Sequence, residues 1–235
     1  MGRDLYALRI GHGPKEIHFN AAMHANEWIT APLVMQFVED LACSYARGTA
    51  WEGRNIRRIL SEYSLWVVPM VNPDGVELVL HGLTEDHPYR EALVSWNKGS
   101  SSFINWKANI RGVDLNDQFP AHWEEEKARR EHDVPGERDY GGEAPLSEPE
   151  AAALALFTDS HQFELVVALH TQGREIYWNY RVQRLVHSKV PPTRIHGRSR
   201  ARRQSAACRN ICFPLRGSRP DPIDRVGIVA ESSGR

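Results

Sequence analysis

Cysteine is scarce: the 235 residues hold three, and two of these, Cys208 and Cys212, lie near the carboxyl-terminal end. Three thiols make no disulfide framework, which suits a reducing compartment. No uncharged apolar run approaches the roughly 20 residues that a bilayer span needs. Residues 1–5 also lack the apolar centre of a secretory signal. These absences lead us to expect a cytoplasmic protein with no membrane partner, unless a missing amino-terminal part makes it secreted or wall-associated. After Tyr180 there is no further tyrosine, and Glu231 is the sole glutamate.

What is present is ordinary for a soluble globular chain, with 41% hydrophobic and 25% charged residues. The length favours one sizeable α/β core over two small domains. A net charge of −1 conceals an asymmetry. Residues 181–235 carry thirteen Lys and Arg against three acids, and residues 1–180 carry sixteen against twenty-seven, giving +10 and −11. Neither a 3.6 nor a 2.0 period persists in 181–235, which is rich in Arg, Ser and Pro. We therefore divide the chain into a domain at 1–180 and a basic, disordered or non-native tail at 181–235. The tail cluster Arg194, Arg198, Arg200, Arg202 and Arg203 has no interleaved aromatics, which argues against nucleic acid. Cys208 and Cys212 with His187 and His196 are too loosely spaced for a second zinc site.

Along the body, residues 5–10 read as a strand, 11–14 as a turn, and 16–23 as the hairpin partner. Helical spacing covers 29–46, and a short second helix follows at 56–60. Residues 64–71 form a buried strand closed by turn chemistry at Asn72, Pro73, Asp74 and Gly75. Residues 81–106 read as loop and 121–130 as a charged, exposed helix. A helix at 147–157 opens on a Ser147 and Glu150 capping box. Residues 165–169 are apolar throughout, as in a fully buried strand, with a further short strand at 175–178. Strands alternating with helices predict an α/β fold with a mixed, mostly parallel sheet flanked by helices.

The apolar run 17–23 stops at His24, and Glu27 follows three residues later, a spacing that aligns both side chains on a helical turn. Two other places repeat it, His122 with Glu125 and His161 with Glu164, and both read as solvated surface. His170 stands at the carboxyl end of the 165–169 strand, the end of an α/β sheet where ligands gather. Two His and one Glu leave a fourth tetrahedral position for water, as in a catalytic zinc site. On spacing alone, hydrogen-bonded polar residues at strand ends remain the other reading.

Four motifs come in a fixed order: His24-Ala25-Asn26-Glu27, Val71-Asn72-Pro73-Asp74-Gly75, Gly112-Val113-Asp114-Leu115-Asn116, and Leu169-His170-Thr171-Gln172-Gly173. In that order the chain resembles the carboxypeptidase A-like zinc peptidases. Within them it looks most like the bacterial γ-D-glutamyl-meso-diaminopimelate peptidases, from about residue 2 to 180, with Trp106 to Arg111 and Arg138 to Glu150 as added cues. The resemblance implies a fold truncated at both ends, one Zn2+ per chain on His24, Glu27 and His170, and hydrolysis of cell-wall stem peptides. It places Asn116 on the substrate carboxylate. Where the family has Arg, this chain has Asp117, which attracts an ammonium group instead. Arg111 or Lys107 then supplies the missing cation.

The family's Glu base and mobile-loop Tyr would fall beyond residue 180, where the likeness ends; a reading frame lost near Arg181 would account for that. Glu231 is a weak match to the base. The competing function is an inactive zinc- and peptide-binding fragment without the base, so little peptidase activity is expected of this chain.

Overall fold

Residues 3–130 and 132–171 are described by a computed structural model. The strand expected at 175–178, the boundary at 181, the basic cluster and Glu231 lie outside the described residues. The main sheet holds β1 (Leu8–Gly11), β2 (Lys15–Asn20), β5 (Tyr63–Val68) and β6 (Phe163–Ala168) in the order β1-β5-β2-β6. β2 runs parallel to both β5 and β6, and β1 is antiparallel to β5, so the sheet is mixed and mostly parallel as expected. A two-stranded ribbon, β3 (Ala50–Trp51) and β4 (Arg54–Asn55), stands apart.

The expected hairpin between the first two strands does not form, because β5 lies between them. The 11–14 segment wraps the start of β5, where His12 N–H donates to Leu60 O at 2.9 Å. Glycine is required for that approach: a Cβ at Gly13 would meet the Glu62 carbonyl carbon at 2.0 Å.

Alternation along β5 sorts the core onto two faces. On one, Leu65 packs with Leu41 of α1 (Thr30–Arg47) and with Ile56 and Leu60 of α2 (Ile56–Glu62). On the other, Val68 and Trp66 meet Leu154 and Phe157 of α6 (Pro149–Ser160). Each fully buried large aliphatic side chain contributes about 1.5 to 3 kcal/mol, and such residues on both faces fix the sheet between its helices. α1 stops at Gly48, whose φ of 67° gives the left-handed C-cap.

Several local expectations are corrected. Asn72 to Gly75 is a helix start: Asn72 caps α3 (Pro73–His81), and Pro73 takes the first turn, where its missing N–H costs nothing. α4 (Arg90–Trp96) occupies part of the expected loop. The capping box is absent; Glu148 is the N-cap of α6, and Ser147 Oγ donates to Gln118 Oε1 instead. β6 is an edge strand among the described residues, with Leu165 52% exposed. His161 is not solvated surface: it packs on Trp66 and Phe157 and meets Glu16 Oε2 at 3.0 Å. His122 is exposed beside Glu125, as expected. Among the described residues no helix is long and apolar enough to cross a membrane.

Candidate metal centre

The parallel register places Asn20 of β2 opposite Ala168 of β6, so the residues that follow both strands emerge together at one end of the sheet. Leu169 N–H extends the ladder to Asn20 O at 2.9 Å and hands the chain to His170. After β2 the backbone turns at Ala22, whose φ of 50° is left-handed, and Thr30 Oγ1 accepts its N–H at 2.8 Å. A left-handed non-glycine residue costs on the order of 1 kcal/mol, and the fixed turn aims the next segment at the strand end.

His24 leads into a 3-10 turn, Ala25–Glu27. Three residues per turn bring positions i and i+3 onto one side. His24 Nδ1 lies 3.1 Å from Glu27 Oε1. Asn72 locks this turn: its amide donates to Met23 O and Ala108 O, each at 3.1 Å, while its Oδ1 accepts Gly75 N–H. Ala25 N–H donates to Lys107 O at 3.0 Å. The close approach of residue 108 explains Gly75, where a Cβ would meet Ala108 O at 2.7 Å.

His170 Nδ1 stands 2.8 Å from Glu27 Oε2 and 3.2 Å from His24 Nδ1, and Thr171 N–H also donates to Glu27 Oε2. One ligand atom from each of His24, Glu27 and His170 falls within 4.8 Å of the others. Glu27 Oε1 is buried and accepts no hydrogen bond. Two imidazole nitrogens turned toward each other beside an unsatisfied carboxylate oxygen fit a cation, and this donor set suits zinc.

Behind His24, Asp114 Oδ1 lies 3.3 Å from Nε2. A carboxylate there keeps the proton on Nε2 and leaves Nδ1 free toward the site. Asp114 is itself held, its N–H donating to Tyr140 O and its Oδ2 accepting Asp139 N–H. Burial would lower the His24 pKa, but Asp114 and Glu27 outweigh it and raise the value to about 9. Burial would raise Glu27, yet His170 against Oε2 and the charge of His24 beside Oε1 hold it well below the carboxylate range. Asp114 is depressed in the same sense, chiefly by His24 against its burial, with Lys107 also contributing.

Asn116 and Asp117 follow in a second 3-10 turn, Leu115–Asp117, for which Asp114 is the N-cap. Asp117 lies 2.8 Å from Arg130 Nη2 of α5 (Trp123–Arg130), and Arg130 also pairs with Asp139. Burial, then Asp114, push the Asp117 pKa up to about 7, against Arg130. The Arg111 guanidinium points to Glu148 at 3.7 Å. The Lys107 carbonyl holds the His24 turn, and the Lys107 charge acts on Asp114. The sequence reading assigned no role to Asp114, Asp139 or Arg130. Asp114, two residues before Asn116 in a quoted motif, was within reach; Arg130 looked like any exposed helix charge.

Two imidazoles and a carboxylate gathered beyond the carboxyl ends of parallel strands make a candidate metal site on an α/β fold. The chain belongs to the zinc carboxypeptidase family, whose model matches residues 1–226. It is 51% identical over 173 residues to a γ-D-glutamyl-L-diamino acid endopeptidase of Lysinibacillus sphaericus, covering 74% of this chain and 43% of that one. It is 41% identical over 183 residues to an uncharacterized protein of Bacillus subtilis, covering 77% and 48%. The chain thus spans less than half the length of these curated relatives. The structure of bovine thrombin-activatable fibrinolysis inhibitor in complex with tick carboxypeptidase inhibitor shares the fold, with a TM-score of 0.51 at 22% identity, over 75% of this chain and 52% of that one.

Proposed function

We propose that His24, Glu27 and His170 hold one zinc ion and that the site hydrolyses amide bonds, specifically γ-D-glutamyl–diamino acid bonds of bacterial cell-wall peptides. The observation that carries this is the convergence of the three donors on one point, with Asp114 behind His24. The likeness to a γ-D-glutamyl-L-diamino acid endopeptidase supplies the substrate class.

Zinc bound there supplies Lewis acidity toward a carbonyl oxygen and toward water. The chain's own residues do the rest. Asp114 fixes the tautomer and orientation of His24, and the Asn72 clamp fixes the turn that carries both His24 and Glu27. Lys107 offers a cation to a substrate carboxylate or developing oxyanion. Asn116 binds a substrate carboxylate, and Asp117 favours a cationic group near the cleaved bond. The family's proton-transferring glutamate would fall beyond residue 180, outside the described residues, where Glu231 is the sole glutamate and a weak match.

The test is release of the diamino acid from a γ-D-glutamyl-diaminopimelate peptide by the zinc-loaded 235-residue protein. Release that disappears on chelation and in His170→Ala supports hydrolysis. Binding of the peptide without release above the zinc-free control would overturn it in favour of the inactive zinc- and peptide-binding reading.

A further inference from the structure

His18 is covered by one contiguous piece of chain. It lies on β2, between β5 and β6, and is fully buried. Its ring centroid stands 6.0 Å from that of Phe157 in α6 and 5.3 Å from that of Phe163 in β6. The joint between α6 and β6 carries His161, which stacks on Phe163 and meets Glu16 Oε2 of β2 at 3.0 Å. Glu16 Oε1 accepts the Trp66 indole N–H from β5, and the Arg9 guanidinium of β1 lies over the Trp66 ring. The box around His18 is therefore aromatic on its α6 and β6 sides, with Arg9 beyond the indole and the Glu16 carboxylate taken up by Trp66 and His161.

Such a box keeps the imidazole neutral. Asn20 Nδ2 donates to His18 Nε2 at 3.3 Å, so a proton on Nε2 would set two donors against each other. Burial and then the His161 charge oppose protonation, and the Trp66 backbone offsets only part of this. Water reaches the ring when Phe157 and Phe163 lift. Both belong to the stretch from Pro149 to Ala168, which runs straight on to His170. That stretch is joined to the sheet through β2 alone among the described residues, up to the bond from Leu169 N–H to Asn20 O, whereas β5 is paired on both sides. In acid the chain gains a proton by opening this unit, and local opening of an edge element precedes loss of the whole sheet.

We propose that His18 is an acid latch, whose protonation frees residues 149–170 from β2 and withdraws His170 from His24 and Glu27. The His24 turn stays in place, since Asn72 and Lys107 hold it from elsewhere in the fold. The proposal rests on the reading of His170 as a zinc ligand, and it adds a pH control to that site.

Amide hydrogen exchange of the 235-residue protein in the presence of a chelator tests the latch without metal. The exchange of β6, divided by that of β5 to cancel the intrinsic effect of pH, should rise as the pH falls below 6.5. The rise should approach about tenfold per pH unit, the weight of one proton taken up on opening. In His18→Gln and in His18→Phe, neither of which can charge, the ratio should stay level; the two differ in polarity, so a folding fault in one leaves the other. A level ratio in the wild type, or the same rise in either variant, would overturn the latch. In the zinc-loaded protein, transfer of zinc to a chromophoric chelator should quicken by up to about tenfold per pH unit beyond any quickening in His18→Gln. Equal quickening would overturn the link to the centre. A rising ratio in a protein whose zinc stays at full occupancy in His170→Ala would leave the opening unit and remove the zinc reading; zinc lost in His170→Ala with a level ratio would do the reverse.

Discussion

The two histidines of the centre are held in different ways. His24 is 7% exposed and is fixed from behind by Asp114, from beside by Glu27 and along its backbone by Asn72 and Lys107. His170 has a side chain 31% exposed and arrives on β6, which pairs with β2 alone among the described residues. The first half of the site is a preformed, cross-braced turn; the second is delivered by strand register. A metal ion that joins them therefore ties an edge strand to an already rigid wall, and metal binding should stabilise β6 more than the His24 turn.

The sharpest way to break the contrast is to remove Glu27, the carboxylate both halves share. Glu27→Ala should weaken zinc binding by more than about a hundredfold, beyond the effect of losing a supporting group, measured by competition with a chromophoric chelator. Next comes the brace. Asn72→Ala strands two buried carbonyls and the Gly75 N–H, and should cost about 3 kcal/mol in urea unfolding. Asp114→Asn should lower zinc affinity about 10- to 100-fold with little change of fold, since it acts through the orientation of His24. A loss under twofold would remove Asp114 from the account.

Beneath both halves, His18 reports on the sheet. Burial, then the charge of His161, push its pKa down to about 3 from the ordinary 6.5. The unfolded chain takes up a proton below pH 6.5 that the folded chain refuses until about pH 3. Stability is thus fully present above pH 6.5 and falls as the pH drops toward 3, by up to about 1.4 kcal/mol per pH unit. Urea midpoints between pH 7 and 5 should show this slope in the wild type and a flatter one in His18→Leu. The smallest effect belongs to the edge strand: Leu165→Ala, at a half-exposed position, should cost less than about 1 kcal/mol.

Much of this was legible in the sequence, for identifiable reasons. Apolar runs ending at Met23 and Leu169, and the order of the four motifs, carried the fold class and the three donors. Strand pairing was not legible, because the turn at Gly11 to Pro14 has the composition of a hairpin and only the fit of Gly13 against Glu62 shows otherwise. Asn72 to Gly75 misled for a similar reason, since turn residues and helix-start residues are the same types. The unbroken apolarity of 165–169 suggested full burial, whereas β6 is an edge strand among the described residues and leaves Leu165 52% exposed. Arg130 was invisible as a partner for Asp117, thirteen residues away across a loop and a helix.

The central claim is that His24, Glu27 and His170 hold the metal, and X-ray absorption at the zinc edge of the loaded protein tests it most directly. The account predicts one zinc per chain with two imidazole nitrogens at about 2.0 to 2.1 Å, oxygen for the remaining ligands and no sulfur, and loss of one imidazole or of the zinc in His170→Ala. A sulfur-containing shell, or an unchanged shell at full occupancy in His170→Ala, would contradict it.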